Sequence, residues 1–181
     1  MSSKKEKDYS DLLSAIIEFG GGFENFSWQT VMLDFEIAMW KSFQSVLPNV
    51  KILGCNFHFT QAVYRKIQHL GLSSAYLKKG STHKFCRCLM ALAFLPHEQI
   101  APAFILLKDE VEKMENNVLL IKLISYFENT WIDSNIWHPS TWNTFDKAIR
   151  TNNDVEGFHH KLNHEAHILS FRAKISANNP R

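Results

Sequence analysis

The chain has 181 residues, 45% hydrophobic and 21% charged, which suits one globular domain with one core. A formal net charge of +2 and a pI near 8.4 exclude a strong global field toward nucleic acid or acidic membranes, so any such binding must be local. Three cysteines, Cys55, Cys86 and Cys88, are odd in number and too few for a disulfide scaffold, which points to a reducing, intracellular compartment. The apolar runs Leu89 to Pro96 and Val118 to Phe127 fall short of the roughly 20 residues a membrane span needs, so no membrane partner is expected. The charged start Met1 to Lys7 has no apolar signal core behind it.

Leu12, Leu13, Ile16 and Ile17 recur at helical spacing and predict a helix over Tyr9 to Phe19, opened by Ser10 and Asp11 and closed by Gly20-Gly21-Gly22. Thr30 to Leu33 reads as a strand that ends on Asp34, an acid that a buried strand does not need. Asp34 has two readings: a cap for a helix starting at Phe35, or a hard oxygen ligand for Mg²⁺ or Mn²⁺. Glu36 reads as a solvated first-turn residue. Ile37, Trp40, Phe43 and Leu47 mark the next helix until Pro48, and Val50 to Gly54 reads as a second strand. A strand, a helix and a strand with short connections predict a parallel crossover that brings Asp34 and Cys55 to one edge of the sheet. Such edges are where open α/β sheets hold their ligands.

No strand is predicted beyond Gly54. Phe59, Val63 and Ile67 mark a helix up to Gly71, and Ile100, Phe104, Leu107, Val111 and Met114, then Leu120, Leu123 and Phe127, mark two more. Lys78 to Lys84 reads as a polar, basic loop. Together with Arg87, its Lys78, Lys79 and Lys84 are candidates to meet nucleic-acid phosphates. Asp133 to Trp142 reads as an irregular aromatic segment. A last helix after Thr151 would turn Val155, Phe158, Leu162, Ala166 and Leu169 to a core and Glu156, His159, His160 and Asn163 outward.

Cys55 and His58 have a spacing that could present a thiolate and an imidazole to one zinc ion, although structural zinc takes four ligands. The alternative is a buried thiol beside a hydrogen-bonded imidazole. Cys86 and Cys88 read as core-lining. The chain contains no Gly-x-Ser-x-Gly elbow, phosphate loop or Gly-x-Gly-x-x-Gly fingerprint.

Four segments in order carry a resemblance: Leu33-Asp34-Phe35-Glu36, Gly54-Cys55-Asn56-Phe57-His58-Phe59-Thr60-Gln61, Leu89-Met90-Ala91-Leu92-Ala93-Phe94-Leu95-Pro96, and Arg150-Thr151-Asn152-Asn153-Asp154-Val155-Glu156-Gly157-Phe158-His159. Together they resemble the transposase domain of Mutator-like elements, from about Trp28 to Asn163. The resemblance implies an α/β fold that is mostly α by residue count: an incomplete ribonuclease-H-like core with a large helical insertion, about 64–142. Residues 1–27 would form an N-terminal helix and glycine-rich linker, and 28–181 the partial transposase domain.

The resemblance further implies cut-and-paste DNA transposition with Mg²⁺ or Mn²⁺, transposon ends as partner and a nuclear location. Asp34 matches the family's second Asp and Glu156 its final Glu. Cys55 and His58 match its Cys-x-x-His motif, and His159 the histidine after the final Glu. The first Asp has no match, because only Asp8 and Asp11 lie upstream and both fall in a helix start. A fragment inactive on its own is therefore expected, with an open sheet edge where strands are missing. A non-catalytic DNA- or protein-binding module is the alternative, and self-association into a homo-oligomer stays open.

Overall fold

The computed structural model describes residues 5–25, 27–114 and 117–147. Among them the chain is mostly helical around one two-stranded parallel sheet, a mixed α/β fold dominated by helix. Strand β1 (Thr30–Leu33) leads into helix α2 (Ile37–Val46) and then strand β2 (Lys51–Gly54), with Thr30 paired to Lys51 and Leu33 to Gly54. The parallel strand-helix-strand unit expected from the sequence is present. No described helix is long and apolar enough to cross a membrane.

Helix α1 (Glu6–Phe19) starts a turn earlier than predicted. Asp8 accepts a bond from the Lys5 amide at 3.4 Å, so the chain is already helical where Ser10 and Asp11 were expected to open it. Its end is as read: Gly21 and Gly22 take φ of 88° and 100°, a region open to glycine, and the Gly22 amide reaches back to the Ile17 carbonyl at 2.9 Å. Only half of its apolar stripe is covered. Leu13 and Ile17 are buried, whereas Leu12, Ile16 and Phe19 are exposed.

After β2 come α3 (Asn56–His69), α4 (Ser73–Leu77), α5 (Ser81–Ala91), α6 (His97–Glu112), α7 (Val118–Phe127) and the short α8 (Pro139–Trp142). The predicted stripes face inward: Phe59, Val63 and Ile67 of α3, Ile100, Phe104 and Val111 of α6, and Leu120, Leu123 and Phe127 of α7 are all buried in one core. Aromatic rings fill its centre. Phe59 stacks on Trp142 at 4.8 Å between centroids, and Phe104 stacks on Phe127 at 5.6 Å. A smaller cluster of Leu33, Trp40 and Ile52 lies against the sheet, and Phe35 packs against both clusters.

Two readings of this region need correction. The basic loop is shorter than predicted, because Ser81 to Lys84 form the first turn of α5 and only Lys78-Lys79-Gly80 connect it to α4. Cys86 lines the core as expected, but Cys88 is exposed. Residues two apart on a helix point about 200° away from each other, so one core cannot take both. Burial pushes the Cys86 thiol up to about 11, opposed in part by its own backbone. A thiol reagent near neutral pH is therefore expected to label Cys88 within the first fast phase and to leave Cys55 and Cys86 until unfolding. Mass spectrometry of the singly labelled protein checks this, and early label on Cys86 would contradict it.

Candidate functional site

The register of the sheet builds the site. Leu33 pairs with Gly54, so the residues that follow them, Asp34 and Cys55, leave the sheet side by side, and the Cys55 amide donates to the Leu33 carbonyl at 2.9 Å. Cys55 is the N-cap residue of α3 and is fully buried. His58 follows one turn into that helix. Its Nδ1 lies 2.8 Å from Asp34 Oδ1, with the imidazole side chain 21% and the carboxylate 46% exposed. Two predicted site residues, distant in sequence, thus meet at the C-terminal edge of the sheet, with Cys55 on the same edge.

Asp34 does not cap a helix. Glu36 holds the N-cap position of α2, so the acid is two residues too early. The Asp34 carbonyl instead accepts from the Glu36 amide at 2.9 Å and from the Trp40 indole Nε1 at 2.6 Å. Trp40 is fully buried, so this bond ties the Asp34 backbone to the small core. Glu36 is not simply solvated either, since the Tyr9 hydroxyl of α1 donates to its carboxylate at 3.0 Å. Neither tie was read from the sequence. The apolar stripe that predicted α2 contained Trp40, but its polar nitrogen gave no sign of its partner.

Phe35 sets the spacing between these parts. Its ring meets Trp131 edge-on at 4.8 Å, Trp137 edge-on at 5.6 Å and Trp40 face-on at 6.0 Å. It also lies over Gly54, where a Cβ would come within 2.2 Å of the ring. The absence of a side chain at Gly54 lets the ring sit against the strand, and Asp34, one residue before Phe35, is held by the same contact.

The geometry limits what the edge can do. His58 Nδ1 faces Asp34 Oδ1 at 2.8 Å, which places the carboxylate to orient the imidazole ring. Among the described residues no group of three or more His, Cys, Asp or Glu side chains could hold a metal ion. The described residues therefore do not make a complete Mg²⁺, Mn²⁺ or Zn²⁺ site by themselves. Glu156 and His159 lie outside the described residues, as do His160 and the rest of the last predicted helix. The candidate phosphate contacts Lys78, Lys79, Lys84 and Arg87 are all exposed, at the α4–α5 corner and along the first turns of α5.

The fold and site thus define a small parallel β-α-β unit that carries a carboxylate–imidazole pair on the strand-end edge, joined to a larger helical body. Compared with known families, curated proteins and solved structures, the chain matches none of them.

Proposed function

We propose that the chain is a fragment of a cut-and-paste DNA transposase of the Mutator-like type, built on an incomplete ribonuclease-H-like core and inactive on its own. One observation carries the reading: the acid of Leu33-Asp34-Phe35-Glu36 and the histidine of the Cys-x-x-His motif meet at 2.8 Å on the edge where a parallel sheet presents its ligands. The run of helices after β2 is compatible with the insertion that such a domain carries. In this reading Asp34 and Glu156 are inherited metal-ligand positions, for Mg²⁺ or Mn²⁺ in the complete family, which acts on DNA at transposon ends, and the location is nuclear. Cys55 and His58 fix the sheet edge, with zinc a further candidate ligand for that pair. His159 follows Glu156 as in the family pattern.

Metal titration tests the site. The 181-residue chain is expected to bind Mn²⁺ weakly by calorimetry or electron paramagnetic resonance, and both Asp34→Ala and Glu156→Ala should weaken that binding. Unchanged binding in both variants would remove the site assignment. No nicking of supercoiled DNA is expected with Mg²⁺ or Mn²⁺, because in-line displacement takes a fuller ligand set. Robust nicking abolished by Asp34→Ala would overturn the inactivity.

A second reading, a non-catalytic DNA-binding module, is favoured by the exposure of Lys78, Lys79, Lys84 and Arg87 on neighbouring turns. It requires affinity for duplex DNA that falls with salt and a shallower slope when the four are replaced by alanine. Salt-independent affinity, or none, would count against it.

A further inference from the structure

The net charge of +2 conceals a division along the chain. From Ile37 to His97 the sequence carries eight lysines and arginines and no aspartate or glutamate, so all eighteen acids lie outside that stretch. In the fold it supplies α2, β2 and the helices α3, α4 and α5. The field that the chain lacks as a whole is therefore present locally.

A groove of about 270 Å³ lies on this basic body, lined by Phe57, Thr60, Gln61 and Tyr64 of α3, Tyr76 of α4 and Met90 of α5. It is smaller than the pockets of drug-sized ligands and suits one flat ring. Half of its lining is aromatic. Phe57 is 40% exposed, and the half-buried Tyr64 and Tyr76 have ring centroids 5.4 Å apart. The His83 ring lies against Tyr76 at 4.6 Å, and its Nδ1 is 2.9 Å from the Tyr76 carbonyl, which ties α5 to α4 at that end. Arg87 sits one turn after His83 and one turn before Met90, so this exposed cation shares the α5 face that borders the groove.

Rings that offer a stacking face beside cations are the combination that binds single strands, where each base stacks and each phosphate is neutralised. A duplex covers the faces of its bases, and an acidic peptide has no base to stack. We propose that the groove between α3 and α5 holds an unpaired base of single-stranded DNA, stacked against Tyr64 and Tyr76, with the neighbouring phosphates on Arg87, Lys84 and the Lys78-Lys79 turn. Residues 148–181 carry five cations and three acids, so that segment is not the anionic occupant this face calls for. The proposal rests on the second reading above, in which the α4–α5 corner meets phosphates, and adds to it a base site and a preference for unpaired strands.

Fluorescence anisotropy of the 181-residue chain with a labelled oligothymidylate, and with a duplex of equal length, tests it. The single strand should bind more tightly. Tyr64→Leu and Tyr76→Leu keep apolar bulk but lose the ring, so each should weaken the single strand by at least about fivefold and leave the duplex unchanged. Tyr76→Phe keeps the ring and should bind as wild type does. Arg87→Ala should weaken both forms and lower the salt slope for the single strand by about 0.7. The wild-type chain gives an independent readout: an oligomer with bromouracil in place of thymine, irradiated in the complex, should crosslink to Phe57, Tyr64 or Tyr76. If neither form of DNA binds, the second reading and the base site both fall. Salt-dependent duplex binding without a single-strand preference, tyrosine variants without effect, or crosslinks only outside the groove would overturn the base site and leave that reading standing. Polyglutamate that displaces the strand as well as unlabelled oligothymidylate does would give the face to acidic peptides, and tighter binding of oligouridylate would give it to RNA; either overturns the proposal.

Discussion

Gly54→Ala is expected to destabilise the protein by about 1–3 kcal/mol, near the upper end for an overpacked site. The new methyl group would stand 2.2 Å from Phe35 Cζ and 2.5 Å from Cε1, far inside van der Waals contact. Relief requires the ring to move, and the ring is held between Trp40, Trp131 and Trp137. A strand shift is no easier, since Gly54 is paired to Leu33 and the next amide, Cys55, donates to the Leu33 carbonyl at 2.9 Å. Urea unfolding gives the loss directly. The pairwise origin can be checked as well: in the Gly54→Ala background, Phe35→Leu should cost less than in wild type or even restore stability, because it removes the atoms that clash. Additive costs would mean that the steric account is wrong. The site should feel the same change. Displacing Phe35 drags the adjacent Asp34, so the Asp34–His58 pair at 2.8 Å should loosen in Gly54→Ala, visible as altered His58 ring resonances.

The parts of this fold that were legible in the sequence are those set by local period. Phe59, Val63 and Ile67 lie four residues apart and all three are fully buried, and the strands on either side of α2 could be read from short apolar runs. Their parallel pairing followed because short connections leave few alternatives. The start of α1 was not legible, because its first turn rests on an Asp8 side chain reaching back to the Lys5 amide without a favourable cap residue. The start of α5 was hidden for a related reason: Ser81 and Thr82 are loop-like by type, and its buried face is shared between Phe85, Cys86 and Leu89. At the site, spacing suggested that Asp34 and Cys55 share an edge. That His58 would turn its Nδ1 to Asp34 depends on sheet register and on how α3 leaves Cys55, neither of which one sequence encodes locally.

Trp142→Ala should be the most damaging single change, at about 3–5 kcal/mol, a large share of the roughly 5–15 kcal/mol that holds a domain together. Three losses combine at this residue. The indole is fully buried and stacks on Phe59 at 4.8 Å with an angle of 8° between planes, so its removal opens a cavity in the largest cluster. Its Nε1 is shared by the carbonyls of Trp131 at 3.0 Å and Trp137 at 3.1 Å, which closes the loop between them and sets the two rings that grip Phe35. Finally, α8 delivers the chain to Asn143 and Thr144, whose side chains bond the carbonyls of Leu95 at 2.9 Å and Ala93 at 3.1 Å. Trp142→Phe separates these terms. It keeps most of the volume and the stacking and loses the shared donor, so it should cost about 1–3 kcal/mol for leaving two buried carbonyls without it. Equal losses for Phe and Ala, measured by urea unfolding, would mean that the hydrogen bonds and not the ring dominate. The consequence reaches the site through a single chain of contacts: Trp142 fixes the loop carrying Trp131 and Trp137, these hold Phe35, and Phe35 adjoins Asp34. A Trp142→Phe protein that stays folded should therefore still show a loosened Asp34–His58 pair, read as altered His58 ring resonances, although the substitution touches neither residue.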